Sequence, residues 1–194
     1  MLRDELKRQS KVVDMMLTMH SILASRYQRR AQALEISLLV SSIVLVAFTF
    51  VDASFLKYLS LTAEASRIII GVFSILIFVL SIVSLVVNWK GKATEHENAF
   101  GALLPLKSEW REILTADEYY DERAALEFSR KSALIMSTLI PIPDAQFNRL
   151  KARHQKKVML SKLISAHPGS SVTFLQLCIA YRTNRNAWNP KIQG

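Results

Sequence analysis

Between Arg67 and Lys90 the chain reads IIIGVFSILIFVLSIVSLVVNW (residues 68–89), 22 consecutive residues without a charge. At 1.5 Å of rise per residue, a helix of that length covers about 33 Å, enough for the roughly 30 Å hydrocarbon core of a bilayer. Trp89 beside Lys90 and Lys92 makes an interfacial anchor at one end, and Tyr58 beside Lys57 makes one on the other side. Upstream, residues 36–51 form an uncharged run of 16 closed by Glu35 and Asp52. That run is only about 24 Å long as helix, so it spans if it extends to Leu56 with Asp52 near the far interface. Spans are therefore expected at about 36–56 and 68–89. The short connection 57–67 makes them an antiparallel hairpin.

Composition agrees with a chain partly in lipid and partly in water. Of 194 residues, 51% are hydrophobic and 21% are charged, and mean hydropathy is +0.20. A mostly embedded protein would carry fewer charges. The single Cys178 excludes an internal disulfide framework and any multi-cysteine zinc or iron–sulfur site. Five Gly and five Pro predict helix and not loop in the water-exposed part.

The first residues carry Arg3, Asp4, Glu5, Lys7 and Arg8, unlike a signal peptide. Leu6, Val13, Met16, His20, Leu23, Tyr27 and Leu34 recur at helical spacing, and no Gly or Pro interrupts residues 1–70. One long helix is expected to start in water and enter the first span. Past the second span, Ala93, Phe100, Leu103 and Leu104 extend the helical spacing, Pro105 is expected to kink or restart it, and Trp110, Ile113 and Leu114 continue the stripe. Further helices are expected from a cap at Asp121 to Leu139, over 146–165 after a cap at Asp144, and from Val172 after a cap at Ser171. Apolar segments 133–140 and 172–181 are too short to span and read as buried helices. The expected fold is all-α, with an amphipathic N-terminal helix (1–35), a transmembrane hairpin (36–89), a helical bundle (90–144) and a basic helical region (145–194). Arg26, Arg29 and Arg30 before the first span, and Lys90, Lys92 and Lys107 after the second, outweigh Lys57 and Arg67 between them. Both termini are therefore expected to be cytoplasmic.

The net charge of +9 has one source. Residues 145–194 contain nine Lys and Arg and no acid, while the rest of the chain sums to zero. Arg149, Lys151, Arg153, Lys156, Lys157 and Lys162 fall on one expected helix, and Arg182, Arg185 and Lys191 follow, with Tyr181 and Trp188 among them. Basic residues interleaved with aromatics point to an anionic partner, either a nucleic acid or anionic headgroups. The acidic segment 109–127, net −5, is a third candidate, in the same or a neighbouring chain.

Catalytic patterns are absent from the sequence. There is no phosphate-binding glycine loop, no nucleophile elbow and no zinc-protease motif. Glu95, His96 and Glu97 are consecutive, so on a helix they point in three directions and do not converge on a metal. A non-enzyme without cofactor or metal is expected.

Ser74, Ser81 and Asn88 are seven residues apart on the second span, with Gly71 and Ser84 beside that stripe; Ser37, Ser41 and Asp52 share a face of the first. Two readings stay open. Small residues let helices pack closely in lipid, and a polar stripe can also line water. Leu45 and Phe48 lie between the polar ends of the first stripe, where they would act as a hydrophobic gate.

A charged helix entering the first span, a short outer loop, a second span ending in Asn88-Trp89, and a helical extension through Ala93, His96, Phe100 and Leu103 form a recognisable order of parts. Over roughly residues 10–165 it resembles the SLATT family, two-transmembrane effectors of bacterial conflict systems. The resemblance implies a membrane-disrupting toxin of antiphage abortive infection, pore-forming as a homo-oligomer in the inner membrane. It also implies a neighbouring sensor: a retron-type reverse transcriptase with its RNA–DNA product, or alternatively a nucleotide-second-messenger synthase or sensor. No ligand-binding domain is recognisable beside the hairpin in this sequence, so sensing through a partner is expected. The competing expectation is a membrane anchor or adaptor for such an assembly, without pore formation.

Overall fold

The computed structural model describes residues 2–50, 62–115 and 122–188, and every element among them is an α-helix. In chain order these are α1 (Leu2–Thr49), α2 (Ala63–Val87), α3 (Trp89–Thr115), α4 (Glu122–Thr138), α5 (Asp144–Ala166) and α6 (Val172–Trp188). The helix α1 runs unbroken, as the absence of Gly and Pro requires, and Asp4 and Glu5 in its first turn complement the positive end of the helix dipole. Thr62 caps α2 by accepting the Ala65 N–H at 3.2 Å.

Two sequence expectations about helix breaks are corrected. Pro105 does not restart a helix but lies inside α3. Its missing N–H frees the carbonyl of Gly101, and Gly101, Leu104 and Pro105 all lie on the exposed side, where that oxygen is open to solvent. The break comes instead at Asn88, whose left-handed backbone (φ 45°, ψ 52°) separates α2 from α3. Asp144 is not the cap of α5: Pro143 holds that position without a side-chain hydrogen bond, and Asp144 sits in the first turn. The expected cap at Asp121 lies outside the described residues.

The chain divides into two compact units, Met1–His20 with Phe100–Gly194, and Ser21–Ala99. In the first unit, Leu6, Val13 and Leu17 of α1 form a core with Leu103 and Leu106 of α3 and Ala125 and Phe128 of α4. Their spacing of threes and fours turns one stripe of each helix inward. Asp14 pairs with Lys107 at 2.6 Å, and the Gln9 side chain donates to Ser129 Oγ at 3.0 Å. Helices α5 and α6 pack on each other and bury Leu150, Leu175 and Ile179. Segments 133–140 and 172–181, expected as buried helices, bury one face only: Ile135, Met136 and Leu139 pack on the core and Leu175 and Ile179 are buried, whereas Leu134, Phe174, Leu177 and Tyr181 are each more than 60% exposed.

In the second unit, Leu23, Ala31, Ala93, His96 and Ala99 are buried. The Tyr27 and His96 rings stack at 5.6 Å, nearly parallel, and Glu35 meets Lys90 at 3.7 Å. The order of these partners reverses between the two helices, so α1 and the start of α3 run antiparallel there.

Candidate functional site

Two helices are long and apolar enough to cross a membrane. Within the second unit, Leu34, Leu38, Ser41 and Leu45 on α1, and Ile70, Ile77, Leu80, Ser84 and Val87 on α2, are half-covered. The remaining circumference is exposed and apolar, reaching 66% at Phe78, 74% at Val86 and 82% at Leu85. Soluble monomers rarely expose apolar patches larger than a few hundred Å². These helices lack the burial of a core helix in a soluble protein.

The small polar residues divide between two faces. Ser41 and Ser84 are on the half-covered sides, whereas Ser37, Gly71, Ser74 and Ser81 are exposed. The hydroxyls of Ser74 and Ser81 donate to the carbonyls of Ile70 and Ile77 at 2.8 and 2.9 Å. Each satisfies its own donor inside the helix and still leaves a small, weakly polar notch on an apolar surface. Leu45 is half-covered and Phe48 exposed. Asp52 lies outside the described residues.

Asn88 has a backbone task that its place in the stripe did not reveal. Its Oδ1 accepts the Gly91 N–H at 3.0 Å, its own N–H donates to the Ser84 carbonyl at 3.2 Å, and its carbonyl accepts the Lys92 N–H at 3.1 Å. Asn tolerates left-handed backbone better than most residues, so it closes one helix and opens the next. The signal was legible in N-W-K-G, an asparagine followed at three residues by glycine.

The basic end is a separate surface. Arg149, Lys151, Arg153, Lys156, Lys157 and Lys162 on α5, and Arg182 and Arg185 on α6, are all exposed. None of the eight forms an ion pair among the described residues. Of the acidic segment 109–127, Glu109, Glu112 and Glu127 therefore do not neutralise them; Asp117, Glu118 and Asp121 lie outside the described residues, as does the side chain of Glu122. Tyr181 is exposed beside Arg182. Lys191 lies outside the described residues, as does the side chain of Trp188.

The histidines are dispersed. His20 and His96 are buried, and His154 is half-buried with Nδ1 3.0 Å from Thr18 Oγ1. Burial lowers the pKa of His96, opposed by Glu95; burial also lowers that of His154, where Asp14 opposes and Lys157 and Lys107 reinforce. Among the described residues no three His, Cys, Asp or Glu side chains are grouped to hold a metal. Cys178 is free and exposed. No protein-family model, curated protein or solved structure matches the chain.

Proposed function

We propose that the chain is the membrane effector of an antiphage abortive-infection system. The end of α1 and the whole of α2 cross the bacterial inner membrane as a hairpin with both termini cytoplasmic. The observation that carries this reading is the pair of exposed apolar helices, with the notches at Gly71, Ser74 and Ser81 turned outward. The antiparallel contacts Tyr27–His96 and Glu35–Lys90 support the hairpin, because they bring the charged ends of both apolar runs to one level. Two helices do not enclose a water-filled path, so permeabilisation needs several copies. The outward notches suit close helix approach between copies. The order of parts, similar to SLATT proteins, supports the antiphage setting.

The silent state is held through the basic end. Attraction of lipid headgroups contributes about 1 kcal/mol per basic residue near the surface, small beside the anchoring of two spans. Against a polyphosphate the same eight cations release counterions and give a salt-sensitive, reversible complex. A reverse transcriptase with its RNA–DNA product, as in a retron, supplies such a polyanion.

A second reading is an anchor that tethers such an assembly without conducting. The self-satisfied hydroxyls of Ser74 and Ser81 favour it, since they leave no free donor to line a channel. Induced expression with a membrane-potential dye separates the two. The effector collapses the potential within minutes of membrane accumulation, whereas an anchor at the same level leaves it intact.

A further inference from the structure

In the first unit, α1 and α5 leave between them a groove of about 490 Å³, within the size class of small-molecule sites. Met15, Val158 and Met159 give it an apolar lining, and Val158 and Met159 are more than 40% exposed. Gln155 and His154 add hydrogen-bonding groups, and Lys11 and Lys162 add positive charge. The one acid in the lining, Asp14, is held by Lys107 at 2.6 Å.

We infer that this groove holds one unstacked nucleotide of a single-stranded nucleic acid. The base lies against the methionines and Val158, and its phosphate lies beside Lys11 and Lys162. The inference rests on the proposed reading of the basic end as a nucleic-acid surface, and it names a position there that reads a base.

The chemistry of the lining selects this ligand. A base is apolar on its faces and polar around its rim, and in a strand it arrives with phosphates on both sides. Thioethers are polarizable and make favourable contacts with aromatic rings. Gln155 makes no hydrogen bond among the described residues and lies in the groove. Its carboxamide presents a donor and an acceptor side by side, the arrangement that pairs with an adenine edge. Neither Lys11 nor Lys162 is ion-paired among the described residues. On the groove's face of the same helix, at 3.6 residues per turn, Lys151 is exposed and forms no ion pair among the described residues, so the adjacent phosphate finds a cation as the strand continues. An acyl chain would match the methionines but leave Gln155 unused. An acidic peptide would match the lysines alone.

The test uses the full chain in nanodiscs of neutral lipid, with fluorescence anisotropy of a labelled twelve-nucleotide deoxyadenosine strand and an abasic strand of equal length. The base-bearing strand is expected to bind about tenfold tighter, the scale of stacking one base on a protein surface. Gln155→Ala combined with Met159→Ser, both exposed positions, is expected to shrink that preference to about twofold without changing abasic binding or the far-ultraviolet circular dichroism. Equal affinity for the two strands overturns the nucleotide site but leaves the basic end a nucleic-acid surface. Binding of neither strand overturns both readings. Adenosine monophosphate competing as well as the strand, per nucleotide, keeps the site and makes its source a free nucleotide. A tyrosine- and glutamate-rich peptide that binds more tightly than the strand, and loses binding in the same variant, overturns the inference in favour of a protein partner.

Discussion

Asn88 and Gly91 fit each other as a pair. The Asn88 carboxamide accepts the Gly91 N–H, and a Cβ on Gly91 would lie 2.8 Å from Asn88 Cγ. Only a residue without a side chain leaves room for the cap that joins α2 to α3. Asn88→Gly keeps the left-handed backbone and loses the cap, costing a few tenths to about 1 kcal/mol. Asn88→Leu adds roughly 1–2 kcal/mol of left-handed strain. Thermal unfolding in detergent should rank wild type above Asn88→Gly and Asn88→Leu lowest. A leucine variant as stable as wild type would show that the junction does not depend on this geometry.

The serine notches separate size from polarity. Because Ser74 and Ser81 bond to their own helix, Ser81→Ala removes the hydroxyl and strands no other group. If close approach between copies is what the notch provides, Ser74→Ala with Ser81→Ala depolarises like wild type. The corresponding leucine pair inserts normally and fails to depolarise. Equal loss in both pairs would assign the role to the hydroxyls, that is, to water along the helix.

Acid should destabilise the folded chain through its histidines. Burial holds His96 and His154 below the usual value of 6.5, so the unfolded chain takes up protons first. Their contribution is complete above about pH 6.5 and is lost as pH falls through the depressed folded values. The melting temperature should therefore decline from pH 7 toward pH 5. His154→Gln, which retains a partner for Thr18, should flatten that decline. A pH profile unchanged by the substitution would mean that the histidine stays neutral, or is equally solvated, in both states.

Replacing Arg149, Lys151, Arg153, Lys156 and Lys157 by Gln should leave insertion unchanged and weaken nucleic-acid binding most at low salt. Each lost phosphate contact lowers the slope of log affinity against log salt by about 0.7 for a single strand. Pull-downs between about 50 and 200 mM salt measure it. An unaltered slope would move the docking surface elsewhere and return these cations to the lipid headgroups.

Legibility in the sequence followed the range of the interaction. The seam at Leu6, Val13, Met16, His20, Leu23, Tyr27 and Leu34 needed only helical period, and each of these residues is buried or half-buried. The uncharged run after Arg67 marked α2, yet its last two residues lie outside that helix, because a polar residue at a seven-residue repeat also reads as stripe. Pro105 misled because the cost of an interior proline depends on whether solvent reaches the freed carbonyl. The eight cations were legible as charge; their lack of ion pairs among the described residues was not. The groove joins residues near position 15 to residues near 158, and no local pattern carries such a pairing.

A hairpin with both ends on the cytoplasmic side exposes position 62 and Cys178 to opposite compartments, which cysteine labelling distinguishes. In intact cells carrying Thr62→Cys in a Cys178→Ser background, an impermeant maleimide should label position 62 from outside. In the unaltered chain, Cys178, although exposed, should react only after the cells are opened. Labelling of Cys178 in intact cells, with position 62 protected until lysis, would invert the topology and place the basic end outside the cell.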